Sequence, residues 1–489
     1  MLQNNILPYN LICDVDSYKV DHVNELPVDT EFYYSTVIAR KANEFTDHVV
    51  VMGLQPVIQM YLSTRITADM VEEAAEEIKN SGYQFRKDLW DIIVNEMEGK
   101  LPLEIRAVPE GTIVPVGTVI VTVVNTDKRF AWLASYIETI LQRAMWKMTT
   151  VATICSAIRR DLLACAETTG TDAGHVLYAL HNFGDRGADA HEVAVMAGIA
   201  HLSQFEGTDC LQANRYIKRL YGSDRHHGTS VVASEHSVMC GLADPVARDD
   251  YAAAVRMLDR LDEILTAIEN GATNLAPIVS IVIDTYNAYR FADEYIGIRL
   301  KGVIDRLGAR GGKVVLRPDS GNAVEMPIEI IKLLMKNFGY TTNAAGFKQL
   351  PAHVGVIQGD GLNQKSLRKI LRRLEEEKLA LGNIVFGMGG GLTHEAGRDE
   401  FSFAMKATAR CDSKGIWHDL FKDPITDIGK RSLRGRVTTY KCADGRIFSE
   451  RLELQEVNKQ IVDMLTTVFL NGELVTRYTF PEVLSRARV

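Results

Sequence analysis

The sequence predicts an α/β protein, in which an irregular α/β barrel is joined to a second, smaller discontinuous α+β domain. Three observations support this prediction. Short apolar runs in the middle of the chain end in glycine and polar residues, amphipathic helical patterns separate these runs, and both flanks of the chain lack the alternation. A chain of 489 residues is also too long for one ordinary hydrophobic core, so two or three domains are expected.

The clearest alternation lies between about residue 276 and residue 392. Its four apolar runs are SIVID (280–284), KVVLRPDSG (313–321), VGVIQGDG (354–361) and NIVFGMGGG (383–391). Three helical stripes lie between them: Ile296, Leu300, Val303 and Leu307; Ile331, Leu334, Met335 and Phe338; and Leu367, Ile370, Leu371 and Leu374. Strands rich in valine and isoleucine that alternate with amphipathic helices are typical of βα units on a parallel sheet.

The preceding part of the chain repeats this alternation less regularly. The run HVLYALHNF (175–183) leads into a predicted helix from Asp189 to Leu202, and FEGTD (205–209) precedes a short helix. A further strand end lies in TSVVASEHS (229–237). Six or seven parallel strands close most economically into a barrel, which places function at their carboxyl ends. An open, doubly wound sheet is the alternative.

The two flanks differ from this central region. Residues 103–125 have the pattern of a β-hairpin, residues 130–168 that of a long helix, and residues 436–448 that of short strands and turns. We therefore predict that residues 1–151 and 405–489 form the discontinuous α+β domain and residues 152–404 the barrel.

Composition excludes several classes of function. The formal net charge of −8 argues against a general electrostatic grip on nucleic acid. No apolar run approaches the roughly 20 residues that cross a bilayer, and the first residues lack the pattern of a signal peptide. Seven cysteines are scattered without a CxxC pair, which favours a reducing, cytoplasmic setting over a disulfide framework or a zinc ribbon.

Polar groups are concentrated at the predicted strand ends. They are Asp209, Glu235, His236, Asp284, Arg317, Asp319, Asp360 and the glycines 387, 389, 390 and 391. Carboxylates that hold hydroxyls or a metal-bound diphosphate, together with glycine amides that bind phosphate oxygens, suit a sugar phosphate. Each Asp or Gly taken singly could instead be a turn former. The GxGxxG, GxxxxGK[ST] and HExxH motifs are absent.

Two further features each have a structural and a functional interpretation. His236 in SEHS could be a structural histidine, or an adjacent Asp could orient it as a nucleophile or base. Lys422, Lys430 and Arg431 could form a solvated face or a phosphate clamp. For Asp209, helix capping is the alternative to ligand binding.

Eight segments together resemble the nicotinamide phosphoribosyltransferase family. They are DSYK (16–19), LHNFGDRG (180–187), FEGTD (205–209), SEHS (234–237), RPDSGN (317–322), VIQGDG (356–361), FGMGGGL (386–392) and FKDPITDIGKRS (421–432), in the family's order. The resemblance implies that phosphoribosyl diphosphate and nicotinamide give nicotinamide mononucleotide and diphosphate in NAD salvage. It also implies Mg²⁺ as cofactor, stimulation by ATP through a phosphohistidine, and a head-to-tail homodimer with shared active sites.

The resemblance also implies a role for individual residues. His236, which ATP would phosphorylate, Asp284 beside it and Asp319 are the expected catalytic residues. The expected substrate contacts are Phe183 and Tyr18 of the neighbouring subunit around the pyridine ring, Arg317 beside it, Asp209 and Ser280 at the amide, and Gly359, Asp360, Gly389 and Gly390 at the ribose and its phosphate. The expected phosphate contacts are Arg40, Arg186, Arg398, Lys406, Lys422 and Lys430. No Mg²⁺ ligand is assigned.

Two positions depart from the family pattern. Asp185 stands where an aromatic residue is usual, and Ala404 replaces a serine. A nicotinate phosphoribosyltransferase is the rival within the enzyme class, and a catalytically silent binding or signalling protein on the same scaffold is the rival outside it.

Overall fold

A computed structural model describes residues 8–426, 431–454 and 460–489 of the chain. The chain divides into two compact units of comparable size. Unit 1 contains Met1–Thr153, Tyr216–Asp224 and Gly397–Val489, and unit 2 contains Ile154–Arg215 and Arg225–Ala396. The division therefore falls at residues 153 and 396, where the sequence pattern suggested 151 and 404, and unit 1 also includes a short internal segment.

The strands are numbered along the chain. They are β1 (Thr30–Ala39), β2 (His48–Val50), β3 (Leu103–Ala107), β4 (Ile113–Pro115), β5 (Val119–Asn125), β6 (Leu180–Asn182), β7 (Gly207–Thr208), β8 (Val232–Ala233), β9 (Ile278–Val282), β10 (Lys313–Arg317), β11 (Thr341–Thr342), β12 (Lys348–Gln349), β13 (Val354–Gln358), β14 (Ile384–Met388), β15 (Phe403–Asp412), β16 (Trp417–Asp419), β17 (Val437–Cys442), β18 (Ile447–Arg451), β19 (Ile461–Asp463), β20 (Thr466–Leu470) and β21 (Glu473–Leu474).

The α-helices follow the same convention. They are α1 (His22–Glu25), α2 (Leu54–Val57), α3 (Ala68–Asn80), α4 (Lys87–Glu96), α5 (Leu133–Tyr136), α6 (Glu138–Thr169), α7 (His191–Leu202), α8 (Leu211–Tyr221), α9 (His236–Leu242), α10 (Tyr251–Glu269), α11 (Ala288–Arg290), α12 (Lys301–Ala309), α13 (Glu325–Phe338), α14 (Gln364–Glu376) and α15 (Phe480–Ala487).

Unit 2 is built on a parallel sheet with the strand order β7-β6-β14-β13-β10-β9-β8. A parallel bridge joins Gly207 in β7 to Thr229, just ahead of β8, and the Thr208 N–H donates to the Thr229 carbonyl at 2.9 Å. The sheet therefore curls until its two edge segments meet. This confirms the predicted irregular barrel and disfavours an open, doubly wound sheet.

The helices that pack on this sheet agree with the predicted apolar stripes where the sequence has clear residues for the start or end of a helix. In α13 Ile331, Leu334 and Met335 of the stripe are buried and Phe338 is half-buried, and the helix ends just before Gly339, whose φ of 78° is left-handed. In α14 a capping box of Asn363 and Ser366 fixes the first turn, and Leu367, Ile370, Leu371 and Leu374 are buried. The residues of the first stripe are divided between a π-helical segment, Phe291–Arg299, and α12.

Two strand predictions needed correction. The run 175–183 forms strand only at Leu180–Asn182, because Ala173–Tyr178 is a 3-10 turn that begins where the Asp172 side chain accepts from the Gly174 N–H. The run predicted at 280–284 begins two residues earlier, at Ile278, in register with Lys313 of β10.

Unit 1 contains the antiparallel sheet β16-β15-β1-β5-β3-β20-β21, which includes strands from both flanks of the chain. A three-stranded sheet, β18-β17-β19, follows the predicted strand-and-turn pattern near residue 440. No helix within the described ranges is long and apolar enough to cross a membrane.

Candidate functional site in the barrel

The polar residues that the sequence places at strand ends lie at one end of the barrel. Asp209 follows β7, His236 begins α9 after β8, Asp284 follows β9, Arg317 ends β10, and Asp360 follows β13. Because all these strands are parallel, their carboxyl ends share one rim. The loop after β14 adds Gly389 and Gly390 to the same rim.

A cavity of about 380 Å³ lies inside the barrel. Side-chain alternation along β10 shows how it forms: Lys313, Val315 and Arg317 line it, whereas Val314 and Leu316 are buried outside it. The other lining residues are His175, Tyr178, His181, Phe183, Asp209, Thr229, Ser230, Val231, Ala233, Ala276, Ile278, Ser280, Gly355, Val356, Ile357, Gly382, Asn383, Ile384 and Val385. The predicted pyridine contacts in unit 2 thus all line one cavity.

Asp209 is the only acidic residue among those that line the cavity. Its Oδ1 accepts a hydrogen bond from the Ser230 hydroxyl at 2.5 Å, and it forms no ion pair with any described residue. Ser230 was not among the predicted site residues. Its only signal in the sequence is a hydroxyl beside Thr229 ahead of a short strand, and such a hydroxyl has no distinctive spacing.

The two histidines of the cavity are held towards their neutral forms. Burial lowers the pKa of His181, and the charge of Asp209 only partly opposes this shift. Burial also lowers the pKa of His175, with Lys313 contributing in the same direction. The pKa of Lys313 is itself lowered by burial. At neutral pH, Asp209 therefore lies beside an uncharged imidazole.

His236 is held between two carboxylates. Its Nε2 lies 2.9 Å from Asp284 Oδ1, and its Nδ1 lies 3.8 Å from Asp319 Oδ2. A carboxylate can only accept, so the Nε2–H donates to Asp284, and the Nδ1 of the neutral ring keeps its lone pair. The Asp284 side chain is buried, whereas the imidazole is half-exposed. The buried carboxylate therefore orients the ring, and the rest of the ring remains accessible to solvent.

The carboxylates at this rim influence one another. Burial, followed by the negative charges of Asp319 and Asp284, raises the pKa of Asp360. The Nη2 of Arg317 lies 4.0 Å from Asp319 Oδ2, and its buried Nε has no hydrogen-bond partner among the described residues. Within the part of the chain that the structure describes, no three His, Cys, Asp or Glu residues are arranged to hold a metal ion.

The loop that carries Phe183 packs directly on the glycines after β14. The Phe183 N–H donates to the Met388 carbonyl at 2.9 Å, and a Cβ on Gly184 would lie 2.9 Å from the Gly389 carbonyl oxygen. Arg186 is exposed in the turn Asp185–Gly187. The unusual Asp185 lies near the buried Cys210, whose pKa rises to about 11, mainly through burial and partly through Asp185.

The remaining predicted phosphate contacts belong to unit 1. The Nε of Arg40, just after β1, donates to the Ser402 carbonyl at 2.9 Å, and Lys406 is exposed in β15 opposite Thr36 of β1. Ala404, at the serine position, is buried in the same strand. Arg398 forms a 3.3 Å ion pair with its neighbour Asp399.

Two further predicted contacts, Lys422 and Tyr18, also lie in unit 1. The Lys422 N–H donates to the Ser432 hydroxyl at 3.0 Å. Tyr18 is 55% exposed in a short 3-10 helix, so its ring is accessible in this chain. Lys430 lies outside the described residues.

Comparison with known proteins connects both units to one group of enzymes. Residues 10–105 match the N-terminal domain of nicotinamide phosphoribosyltransferase, and residues 178–473 match the nicotinate phosphoribosyltransferase (NAPRTase) family. Proteins named nicotinamide phosphoribosyltransferase from Xanthomonas campestris pv. campestris and Acinetobacter baylyi are 35% and 33% identical to this chain. The first alignment covers 98% of both chains and the second covers 96% of both.

Solved structures share the fold at low sequence identity. A nicotinate-nucleotide pyrophosphorylase from Pyrococcus furiosus has a TM-score of 0.59 at 15% identity, covering 100% of this chain and 97% of that one. Human nicotinic acid phosphoribosyltransferase has a TM-score of 0.53 at 14% identity, covering 96% and 92%. Together with the near-complete alignments, this fold shows that the chain is a phosphoribosyltransferase and belongs to the nicotinamide phosphoribosyltransferase family.

Proposed function

We propose that this enzyme transfers the phosphoribosyl group of phosphoribosyl diphosphate to nicotinamide, giving nicotinamide mononucleotide and diphosphate in NAD salvage. The observation that carries the proposal is Asp209, the only acid that lines the barrel cavity, which lies beside a neutral histidine and forms no ion pair with a described residue. Such a carboxylate accepts a hydrogen bond from a carboxamide NH₂ and repels a carboxylate. Full-length relatives that carry the name of this activity support the proposal.

The pyridine ring would lie at the cavity mouth. Phe183 offers an aromatic face there, and the orphaned Nε of Arg317 offers a donor to an incoming ligand. The Ser230 hydroxyl fixes Asp209, and Ser280 lies on the same wall as a second amide contact. The orientation that results presents the ring nitrogen to the sugar.

In the transfer step, the pyridine nitrogen forms a bond to the anomeric carbon while the bond from that carbon to diphosphate breaks. The nitrogen lone pair is already free, so no base needs to remove a proton. Positive charge develops on the ribose and remains on the pyridinium product. Asp319 and Asp360, which follow β10 and β13, would stabilise this charge and hold ribose hydroxyls. Gly359, Gly389 and Gly390 would bring backbone amides to the ribose phosphate.

Mg²⁺ suits this donor set. Burial and the negative charges of Asp319 and Asp284 raise the pKa of Asp360, and a hard divalent cation prefers such oxygen ligands. When bound, the ion would neutralise the diphosphate that leaves. Since no three acidic residues of the described chain are arranged to hold it alone, Asp284, Asp319 and Asp360 would hold it together with diphosphate oxygens or water. The cationic Arg186 and the unit 1 residues Arg40, Arg398, Lys406, Lys422 and Lys430 would bind phosphate oxygens.

We further propose that ATP phosphorylates His236. The Nδ1 lone pair attacks the γ-phosphorus, the new P–N bond forms, and ADP leaves; water later cleaves that bond and releases phosphate. The Nε2 contact with Asp284 supports the attack, since it fixes the tautomer with a free Nδ1. The phosphohistidine adds negative charge near the diphosphate site and thereby helps to bind Mg²⁺.

The proposal also includes the oligomeric state and the cellular compartment of the enzyme. The exposed ring of Tyr18 suits a homodimer in which this residue covers the pyridine ring of the other subunit. All seven cysteines are free thiols, which suits the reducing cytoplasm.

A competition experiment tests the reaction. Purified protein is incubated with phosphoribosyl diphosphate, Mg²⁺ and equimolar nicotinamide and nicotinate, and the mononucleotides are separated and identified. We expect diphosphate release with nicotinamide mononucleotide as the main product. Predominance of nicotinate mononucleotide would establish the rival substrate, and release of no diphosphate would establish a silent scaffold.

A further inference from the structure

The ring of Phe183 lies directly against the backbone of Gly387. Gly387 in β14 pairs with His181 in β6, and Phe183 follows β6 and folds back over that pair. A Cβ added to Gly387 would lie 2.1 Å from Cε2, 2.3 Å from Cδ2 and 2.8 Å from Cζ of this ring. All three nearest atoms belong to Phe183, so the ring occupies the volume that a side chain at position 387 would need.

Backbone conformation does not explain this glycine. Gly387 is absent from the glycines of positive φ, and its strand geometry is open to any L-residue. Gly359, at the end of the neighbouring strand β13, shows the same relation more weakly. Its φ is not positive either, and an added Cβ would lie 2.9 Å from Cε2 of Phe183. Two adjacent strands thus leave out side chains where one aromatic ring lies.

We propose that Gly387, assisted by Gly359, is a positioning residue that sets the plane of Phe183 and so the width of the base-binding slot. This inference rests on the proposed function only in taking Phe183 as the stacking partner of the base. Because Cδ2, Cε2 and Cζ of the ring fill the Cβ position of Gly387, the strand backbone prevents the ring from moving further towards β14, and the opposite side of the ring keeps its position. A methyl group at position 387 must displace the ring by more than an ångström to reach normal contact at about 3.5 Å.

A double-mutant cycle isolates this role. The variants are Gly387→Ala, Phe183→Ala and the pair, and the readouts are KM for the base, KM for phosphoribosyl diphosphate and melting temperature. In the parent protein, Gly387→Ala should raise KM for the base about tenfold, the scale of a lost aromatic stack, and leave KM for phosphoribosyl diphosphate unchanged. In the Phe183→Ala background the same change should have an effect below about twofold, since no ring remains to be displaced.

Gly302→Ala is the control for a glycine-to-alanine change that does not reach Phe183. Gly302 lies in α12, outside the residues that line the cavity, and an added Cβ would meet only the end of the Arg306 side chain, at 3.9 Å. We expect KM for the base to stay within about twofold of the parent value. The milder Gly359→Ala should raise KM for the base less than Gly387→Ala, and it serves as the second variant if Gly387→Ala fails to fold.

The outcomes separate this inference from the proposed function. The cycle uses whichever base the parent enzyme converts, so a preference for nicotinate would overturn the proposed substrate and leave the cycle intact. The inference would be overturned if Gly387→Ala raised KM for the base equally with and without the Phe183 ring. It would also be overturned if KM for the base did not change in either background. If Gly387→Ala is unstable, recovery of the melting temperature in the double variant supports it, and continued instability overturns it.

Discussion

Replacing Asp209 with asparagine should narrow or reverse the preference between nicotinamide and nicotinate. The carboxylate of nicotinate would lie where the carboxamide NH₂ is expected, next to Asp209. Two like charges about 4 Å apart repel by about 4 kcal/mol at an effective dielectric constant of 20, and by about 1 kcal/mol in bulk water. Asp209 is exposed, and the neighbouring His181 is held neutral, so neither full burial nor a counter-cation applies. We therefore expect about 2 kcal/mol, or roughly a thirtyfold preference for nicotinamide.

The assay is kcat/KM for both bases at saturating phosphoribosyl diphosphate, in the parent protein and in Asp209→Asn. Ser230→Ala is the matched control, because it removes the hydroxyl that donates to Asp209 and keeps the charge. The preference should survive in this control and fall towards equality in Asp209→Asn. An unchanged ratio in Asp209→Asn would refute the electrostatic reasoning, and equal use of both bases by the parent would favour the nicotinate alternative.

Three further predictions concern the dimer, the histidine and the carboxylates. Mixing inactive Tyr18→Ala with inactive Asp209→Ala should restore up to one competent site per mixed dimer; no recovery in verified mixed dimers would contradict sharing. His236→Ala should abolish ATP hydrolysis and the ATP stimulation while weak basal synthesis remains; acid-labile phosphate on this variant would contradict the assignment. Because the pKa of Asp360 is raised, its ionised form is lost at a higher pH than for an ordinary Asp as the solution is acidified. The acidic limb of kcat/KM for phosphoribosyl diphosphate should therefore move to lower pH in Asp319→Asn, and an unmoved limb would contradict this coupling.

The sequence predicted those parts of the fold whose signals are local. Helix α13 has Pro327 near its start and Gly339 just past its end, and α14 has an apolar stripe that is buried as expected. The four clearest strand runs also begin within two residues of the observed strands. By contrast, the apolar run 175–183 predicted a strand that exists only in its last part, because apolar character alone does not distinguish a 3-10 turn from a strand.

The features of the site that sequence reasoning missed depend on contacts between distant segments. Ser230 contacts Asp209 across 21 positions of the chain, and Gly387 meets a ring 204 positions away in sequence. Neither contact follows from periodicity, because the first depends on the bridge between Gly207 and Thr229 and the second on the register in which β6 and β14 pair. A strand-end aspartate can be recognised from the residues next to it in sequence. A glycine that makes room for a side chain from another strand cannot be recognised in this way.

The charges of the site are divided between two places, and this division suits the proposed reaction. Inside the cavity, Asp209 is the only acid among the lining residues and the histidine beside it is held neutral, an arrangement that suits the neutral amide of the proposed substrate. Outside the cavity lining, the negative charges of Asp319 and Asp360 lie close enough to favour a cation. In the proposed reaction, the metal ion bound to diphosphate would supply it. Arg317 joins the two places, since it lines the cavity and reaches to 4.0 Å from Asp319. In the proposed reaction the guanidinium would lie where the base meets the sugar, and it would screen Asp209 from the acids near the leaving group.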